Sequence, residues 1–254
     1  MTKRNSVFRF KQFECSHSKS SMKIGVDAVL IGAWAGIKGV RTILDVGTGC
    51  GIIALMCAQR NADAQIEAID IDADSIAEAI ENFNASPWRE RLNARVVDFN
   101  SYAHQKFDLI ISNPPYFKSG IDAPLSPRLK ARHEDTLSPA VLLTKGAELL
   151  TDAGRIAMVL PADRLEAASS AARSAGLSVM RLCKVKGHMD APVKRVLVEF
   201  ARVKKPNGTV DHKETSCPEE TLAPVDPEFL ILEESPGVPT SAHRTLCADF
   251  YLYY

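Results

Sequence analysis

No run of 18 or more apolar residues occurs in this 254-residue chain, so a membrane-spanning helix is not expected. The start Met1-Thr2-Lys3-Arg4-Asn5-Ser6 is basic but leads into no apolar h-region, which argues against a signal peptide. None of the six cysteines (15, 50, 57, 183, 217 and 247) falls in a C-x-x-C pair, and no His/Cys cluster has metal-ligand spacing. These absences point to a cytoplasmic protein with reduced thiols, no metal and no membrane partner. Internal repeats and low-complexity tracts are missing too, which leaves one domain as the economical reading. Net charge is also lacking, with 31 Lys+Arg against 31 Asp+Glu. The balance hides blocks: residues 1–44 carry +6, 45–127 carry −6, 128–213 carry +7 and 214–254 carry −7. Two basic segments can form a phosphate-attracting face if folding joins them, although ordinary solvated charge explains the counts equally well.

With 46% apolar and 24% charged residues, the chain is able to bury a full core. Apolar strands over 42–46, 65–71, 94–97, 107–112, 155–160, 177–185 and 193–203 are set among helical patterns over 52–59, 73–84, 139–150 and 163–175. That order predicts an α/β fold with a doubly wound, mostly parallel sheet covered on both faces. The last two strands are separated only by 186–192, too short for a parallel crossover, so an antiparallel hairpin is expected there. Ahead of the core, Phe8, Phe10 and Phe13 are spaced for a strand or hairpin. Asp27 is placed to cap a helix over 28–35 with Val29, Leu30 and Trp34 inward. Residues 206–241 hold six of the 14 prolines and read as loop around one short strand, 229–233. A closing helix over 241–254 would turn Leu246, Phe250 and Tyr251 inward. The single domain thus divides into a covering segment (1–41), a core (42–205) and a loop-rich extension (206–254).

The first core strand ends in Asp45-Val46-Gly47-Thr48-Gly49-Cys50-Gly51. A glycine turn between strand and helix lets a ligand approach backbone N–H groups near the helix N-terminus. A dinucleotide fingerprint requires its third glycine where Ile52 stands; here that glycine comes one residue early, at Gly51, which disfavours a dehydrogenase. Asp70, 19 residues beyond Gly51 at the end of the second strand, is placed to accept from both hydroxyls of a ribose, with Asp72 as a competitor. Asp98 follows the third strand and either accepts from an adenine amine or is a surface acid opening a loop. A tight turn that binds nothing is the alternative for the glycines.

The fourth strand ends in Ser112-Asn113-Pro114-Pro115-Tyr116. Exocyclic amines on aromatic rings are poor nucleophiles because the lone pair is delocalised into the ring. The Asn113 amide oxygen and the Pro114 carbonyl can each accept one N–H and hold the amino group out of conjugation. Prolines at 114 and 115 stiffen the turn, giving preorganisation without a mobile base. Tyr116 offers a face on which an unstacked base can lie. The set suits an enzyme that moves a methyl group onto an amine nitrogen; a plain Asn-Pro-Pro turn is the structural alternative.

Together with Met22-Lys23-Ile24-Gly25-Val26-Asp27-Ala28, these motifs make the chain resemble the N-P-P-Y amino-methyltransferases. The resemblance is closest to the bacterial valine-tRNA adenine-37 N6-methyltransferase family. It also rests on Phe10-Lys11-Gln12-Phe13, Gly32-Ala33-Trp34-Ala35, 84–91 and Ala248-Asp249-Phe250-Tyr251-Leu252, and so covers nearly the whole chain. It implies a Rossmann-like class I fold, with a seven-stranded sheet whose last strand is antiparallel. S-adenosyl-L-methionine is the implied cofactor, with contacts at Asp45, Gly47, Gly49, Gly51, Asp70 and Asp98. Catalysis is implied at Asn113 with Pro114, and base contact at Tyr116. The segment with Lys23, Gly25 and Asp27 would close over the methionine end of the cofactor; a solvated Lys23 is the alternative.

A tRNA substrate implies phosphate and base contacts, and Pro115, Arg128, Lys130, Arg132 and His133 follow the Asn113 turn directly. Further candidates are Lys3, Arg4, Arg9, Lys11, Lys184, Lys186, Lys194 and Arg195, with the acidic tail from Glu214 expected away from the RNA path. No obligatory protein partner is evident, and a monomer is expected. The tetrad alone is shared with protein glutamine, DNA adenine and rRNA guanine methyltransferases. The glutamine enzymes carry a helical domain before the glycine turn, whereas only 44 residues precede Asp45 here. A fold that binds RNA but has lost catalysis is the non-enzyme alternative, disfavoured by the intact turn and tetrad.

Overall fold

Residues 6–20, 23–114, 137–202 and 225–253 are described in the computed structural model of the chain. The core strands are β3 (Thr42–Val46), β4 (Gln65–Asp70), β5 (Leu92–Val96), β6 (Phe107–Ser112), β7 (Leu150–Pro161), β8 (Leu177–Lys186) and β9 (Arg195–Arg202). Most of β3 and β6 is buried on both faces, as expected of parallel strands with helices above and below. The sheet order is β10-β8-β9-β7-β6-β3-β4-β5, and β9 runs antiparallel to both β7 and β8. The expected hairpin of the last two core strands is therefore present.

The sheet has eight strands, which corrects the expected seven. The extra strand, β10 (Glu228–Ile231), pairs in parallel with Cys183–Lys186 along the outer edge of β8. Its four residues lie beyond the proline-rich segment, and their partner is remote in sequence, so local patterning could not reveal the pairing. Burial of Leu230 anchors it. Two short antiparallel pairs complete the strands: β1 (Val7–Arg9) with β2 (Glu14–Ser16), and β11 (Glu233–Ser235) with β12 (Val238–Pro239).

One sheet face packs against α1 (Val26–Trp34), α2 (Ile52–Arg60), α3 (Ala73–Ala85) and α6 (Ser241–Cys247). The other packs against α4 (Pro139–Leu149) and α5 (Leu165–Ser174). Side chains cap three of these helices: Asp72 accepts from the Ser75 amide, Ser138 from Val141 and Thr240 from His243. Helix α1 begins two residues earlier than expected, and its cap is Gly25, not Asp27. Asp27 lies in the first turn, where an acid favours the helix dipole, and its carboxylate pairs with Arg195 at the start of β9. The closing helix is also shorter than expected and stops at Cys247. Beyond it, the Ala248 and Phe250 carbonyls accept from Lys11 and the Asp249 carbonyl from Gln59, so this backbone is committed to other partners. Phe250 remains buried, while Leu246 and Tyr251 are half-buried.

Candidate active site

Strands β5, β4, β3 and β6 are neighbours with parallel ladders, so their carboxyl ends share one edge of the sheet. From β3 the chain winds outward to β4 and β5, then returns to the other side of β3 as β6. A crevice is expected at that reversal. The glycine turn follows β3, Asp70 ends β4, Asp98 follows β5 and Asn113 follows β6. Sequence positions spread over about seventy residues thus converge on one mouth.

The glycine turn is held from below. The Gly47 and Thr48 amides both donate to the Ile69 carbonyl, at 2.9 and 3.0 Å. Gly49 adopts φ 55° and a Cβ there would meet nothing within 4 Å, so its surface is open to a ligand. Gly51 is required for a different reason: at φ 85°, a Cβ would come within 2.5 Å of the Phe83 ring of α3. Beneath the turn, fully buried Asp45 accepts from the Thr48 hydroxyl at 2.6 Å and the Ala54 amide at 3.1 Å, both at Oδ2. Its Oδ1 is buried and has no hydrogen-bond partner in the described structure. Burial pushes the Asp45 carboxyl up to about 7; the two hydrogen bonds oppose the rise and the Asp70 charge adds to it.

Asp70 is nearly buried and bridges two loops, accepting from the Gly49 amide at Oδ2 and the Asp72 amide at Oδ1, each at 3.0 Å. Asp72 is occupied as the cap of α3, accepting from the Ser75 hydroxyl at 2.6 Å and its amide at 3.2 Å. Of the two acids, Asp70 alone bonds the glycine turn. Asp98 is exposed and accepts from the backbone and side-chain amides of Asn100, which makes it the opener of a short 3-10 turn.

Asn113 is half-buried and Pro114 buried at the end of β6. Just before them, the fully buried Ser112 hydroxyl donates to the Val46 carbonyl at 2.7 Å. The β3–β6 ladder runs through Asp45↔Ile111, so this side chain extends the pairing by one step and ties the base of the glycine turn to the Asn113 turn. Ser112→Ala leaves a buried carbonyl unpaired and should cost about 1–3 kcal/mol of stability. Slack between the turns should slow single-turnover methyl transfer by about tenfold or more. An unchanged single-turnover rate would show that the tie plays no part in alignment. Pro115, Tyr116, Arg128, Lys130, Arg132 and His133 lie outside the described residues.

The N-terminal segment is latched onto the glycine turn through α3. Asn82 accepts from the Ser16 amide and donates to the Ser16 and Cys50 carbonyls. One turn earlier, the Glu78 carboxylate accepts from the Ser18, Lys19 and Ser20 amides and from the Ser18 hydroxyl. Burial opposes its charge, but these four donors outweigh it and hold the carboxyl below its ordinary value. The latch is therefore complete above the ordinary carboxylate range and is lost as pH falls through the depressed value. Glu78→Gln replaces an acceptor with a donor facing N–H groups and should cost about 2 kcal/mol. Amide exchange at residues 18–20 should accelerate at least tenfold; unchanged protection would refute the latch. Lys23 donates to the His17 and Ser18 carbonyls, so in this structure its ammonium braces the same loop.

Similarity to known proteins identifies the arrangement. The family model of the methyltransferase small domain matches residues 30–168. A tRNA1(Val) (adenine(37)-N6)-methyltransferase from Tolumonas auensis is 40% identical over 228 residues, covering 89% of this chain and 94% of that protein. One from Vibrio vulnificus is 39% identical over 254 residues, covering 99% of this chain and 98% of that protein. This chain belongs to that family. Among solved structures, a predicted O-methyltransferase from Agrobacterium tumefaciens has a TM-score of 0.60 at 15% identity, covering 88% of this chain and 96% of that one, which shows the shared fold.

As a member of the family, the protein is an enzyme whose methyl donor is S-adenosyl-L-methionine. The residues present fit that group: an open surface at Gly49, the Asp70 carboxylate bonded to that turn, and a buried Asp45 Oδ1 left without a hydrogen-bond partner. Sequence reasoning missed Thr48, Glu78, Asn82 and Ser112. For Glu78, Asn82 and Ser112, a polar residue at an otherwise apolar position was the only signal.

Proposed function

We propose that the protein methylates N6 of adenine 37 in tRNA1(Val), with Asn113 and the Pro114 carbonyl as the catalytic pair. The observation that supports this reading is the Ser112–Val46 bond, which ties the Asn113 turn to the base of the glycine turn. S-adenosyl-L-methionine supplies, when bound, an electrophilic sulfonium methyl. Gly47, Gly49 and Gly51 would shape its floor, Asp45 Oδ1 would accept from its ammonium, and Asp70 would accept from its ribose. Asp98 faces the adenine end, and Lys23, Gly25 and Asp27 belong to the segment that covers it.

Asn113 and Pro114 each accept one N–H of the target amine, which returns the lone pair to nitrogen. Tyr116 and Pro115 support the extruded base, and Arg128, Lys130 and Arg132 hold nearby phosphates. With that group bound, the nitrogen would form its bond to the methyl carbon as the carbon–sulfur bond breaks, and one N–H proton would pass to water. In this reading the protein works as a monomer in the cytoplasm on free tRNA. Mass spectrometry of nucleosides from tRNA of a deletion strain should show loss of one N6-methyladenosine, restored by the purified protein. Transfer of labelled methyl to protein alone would overturn the assignment.

A further inference from the structure

We infer that the β8–β9 turn forms a raised basic wall that grips the tRNA backbone beside the target base; this rests on the tRNA reading above. Ser112, at the end of β6, pairs with Met158 of β7, but β7 continues three residues further to Pro161. Pro161 pairs with Arg195 at the start of β9, and Arg195 in turn pairs with Val185 near the end of β8. At roughly 3.3 Å per residue, these strands stand about 10 Å above the floor from which Asn113 projects. From β6 to β8 the wall extends sideways over three strand spacings, about 14 Å.

The wall is basic along its top. Lys186, Lys194 and Arg195 flank the turn, with exposed His188 and Met189 between them. Arg195 is engaged by Asp27, but Lys184, Lys186 and Lys194 have no carboxylate in ion-pair range among the described residues. The turn is itself braced: Lys186 Nζ donates to the Met189 carbonyl at 2.8 Å, the Ala191 amide to His188 at 3.0 Å, and the Ala162 amide to the Lys194 carbonyl at 3.0 Å. Met189, 66% exposed, is thereby held out as an apolar contact at the same edge as Asn113.

Acids set the far limit. The Leu232 and Glu233 amides donate to the Lys186 and Gly187 carbonyls, both at 2.9 Å, which places exposed Glu233 and Glu234 on the outer flank. Asp190 is the one acid within the turn. A polyanion is therefore attracted along the inner wall and repelled at β11, so the grip covers only a few nucleotides to one side of the target.

The test uses Lys186→Glu with Lys194→Glu in the full chain, and tRNA binding by fluorescence anisotropy over a salt series. Affinity should fall at least tenfold, and the slope of log K against log salt should shrink by about 2, as expected for two lost phosphate contacts. At saturating tRNA, kcat should stay within about twofold of the wild type, with the loss confined to KM. Lys186→Arg with Lys194→Arg should restore both affinity and slope. Lys38→Glu with Arg41→Glu, exposed on the opposite edge before β3, should change neither. An unchanged slope in the Lys186/Lys194 variant, or an equal loss in the Lys38/Arg41 variant, would overturn the inference. Methyl transfer by the wild type is read separately: its absence on every tRNA would sink the proposed function, whatever the binding data show.

Discussion

Asn113→Ala is expected to slow methyl transfer by about a thousandfold, the scale seen when a preorganised polar contact to the reacting group is removed. The affinity for S-adenosyl-L-methionine should remain within about threefold, because the glycine turn and Asp70 bond each other without Asn113. The physical reason is electronic. Without the amide oxygen, one N–H of the target amine is free to lie in the plane of its ring, and the lone pair returns to conjugation. Asn113 is only half-buried, so the substitution should leave stability within about 1 kcal/mol. Asn113→Asp retains an acceptor oxygen and should lose less. Single-turnover kinetics alongside calorimetry separate chemistry from binding, and wild-type turnover by the alanine variant would remove Asn113 from catalysis.

Asp45→Asn should produce the second large effect, in opposite directions for binding and stability. The isosteric amide still accepts from Thr48 and Ala54 but presents N–H where the ammonium of the methionine end would sit. Affinity for S-adenosyl-L-methionine should fall at least a hundredfold, a loss of about 3 kcal/mol in keeping with an unpaired buried charge. Stability should rise instead. With its carboxyl raised to about 7 by burial, the native state retains a proton that the unfolded chain has already released. The fold therefore weakens as pH climbs from about 4 to 7, and above that range the buried charge costs up to about 4 kcal/mol. Asp45→Asn removes this slope, so its melting temperature should exceed that of the wild type above pH 7 and converge with it in acid. Wild-type affinity should also weaken below about pH 7, where Asp45 takes up its proton, while adenosine, which has no ammonium, should show no such dependence. A variant that binds the cofactor as tightly as the wild type would refute this role for Asp45.

The two predictions differ in what made them visible. Asn113 stands in a run of residue types that have few other uses together, and its chemistry follows from those types. For Asp45, the motif identified a cofactor-side acid, but the empty Oδ1 and the raised carboxyl depend on how closely α2 and β4 enclose it. Asp70 and Asp72 show the same division. Both stand at the right offset from Gly51, and only the capping of α3 by Asp72 separates them. Asp27 had the sequence context of a helix cap, yet Gly25 took that position and Asp27 became the partner of Arg195, 168 residues away.

The order of strands and helices, the two turns and the kind of reaction were legible in the amino-acid sequence. Each depends on near neighbours: apolar periodicity, glycine at left-handed positions, and proline after an amide. The tertiary structure alone decided the pairing of β10 with β8, the Ser112 and Glu78 contacts, and the height of the basic wall above Asn113. Those features join residues tens of positions apart, and a hydrogen bond or a strand register across that separation leaves no local pattern to read.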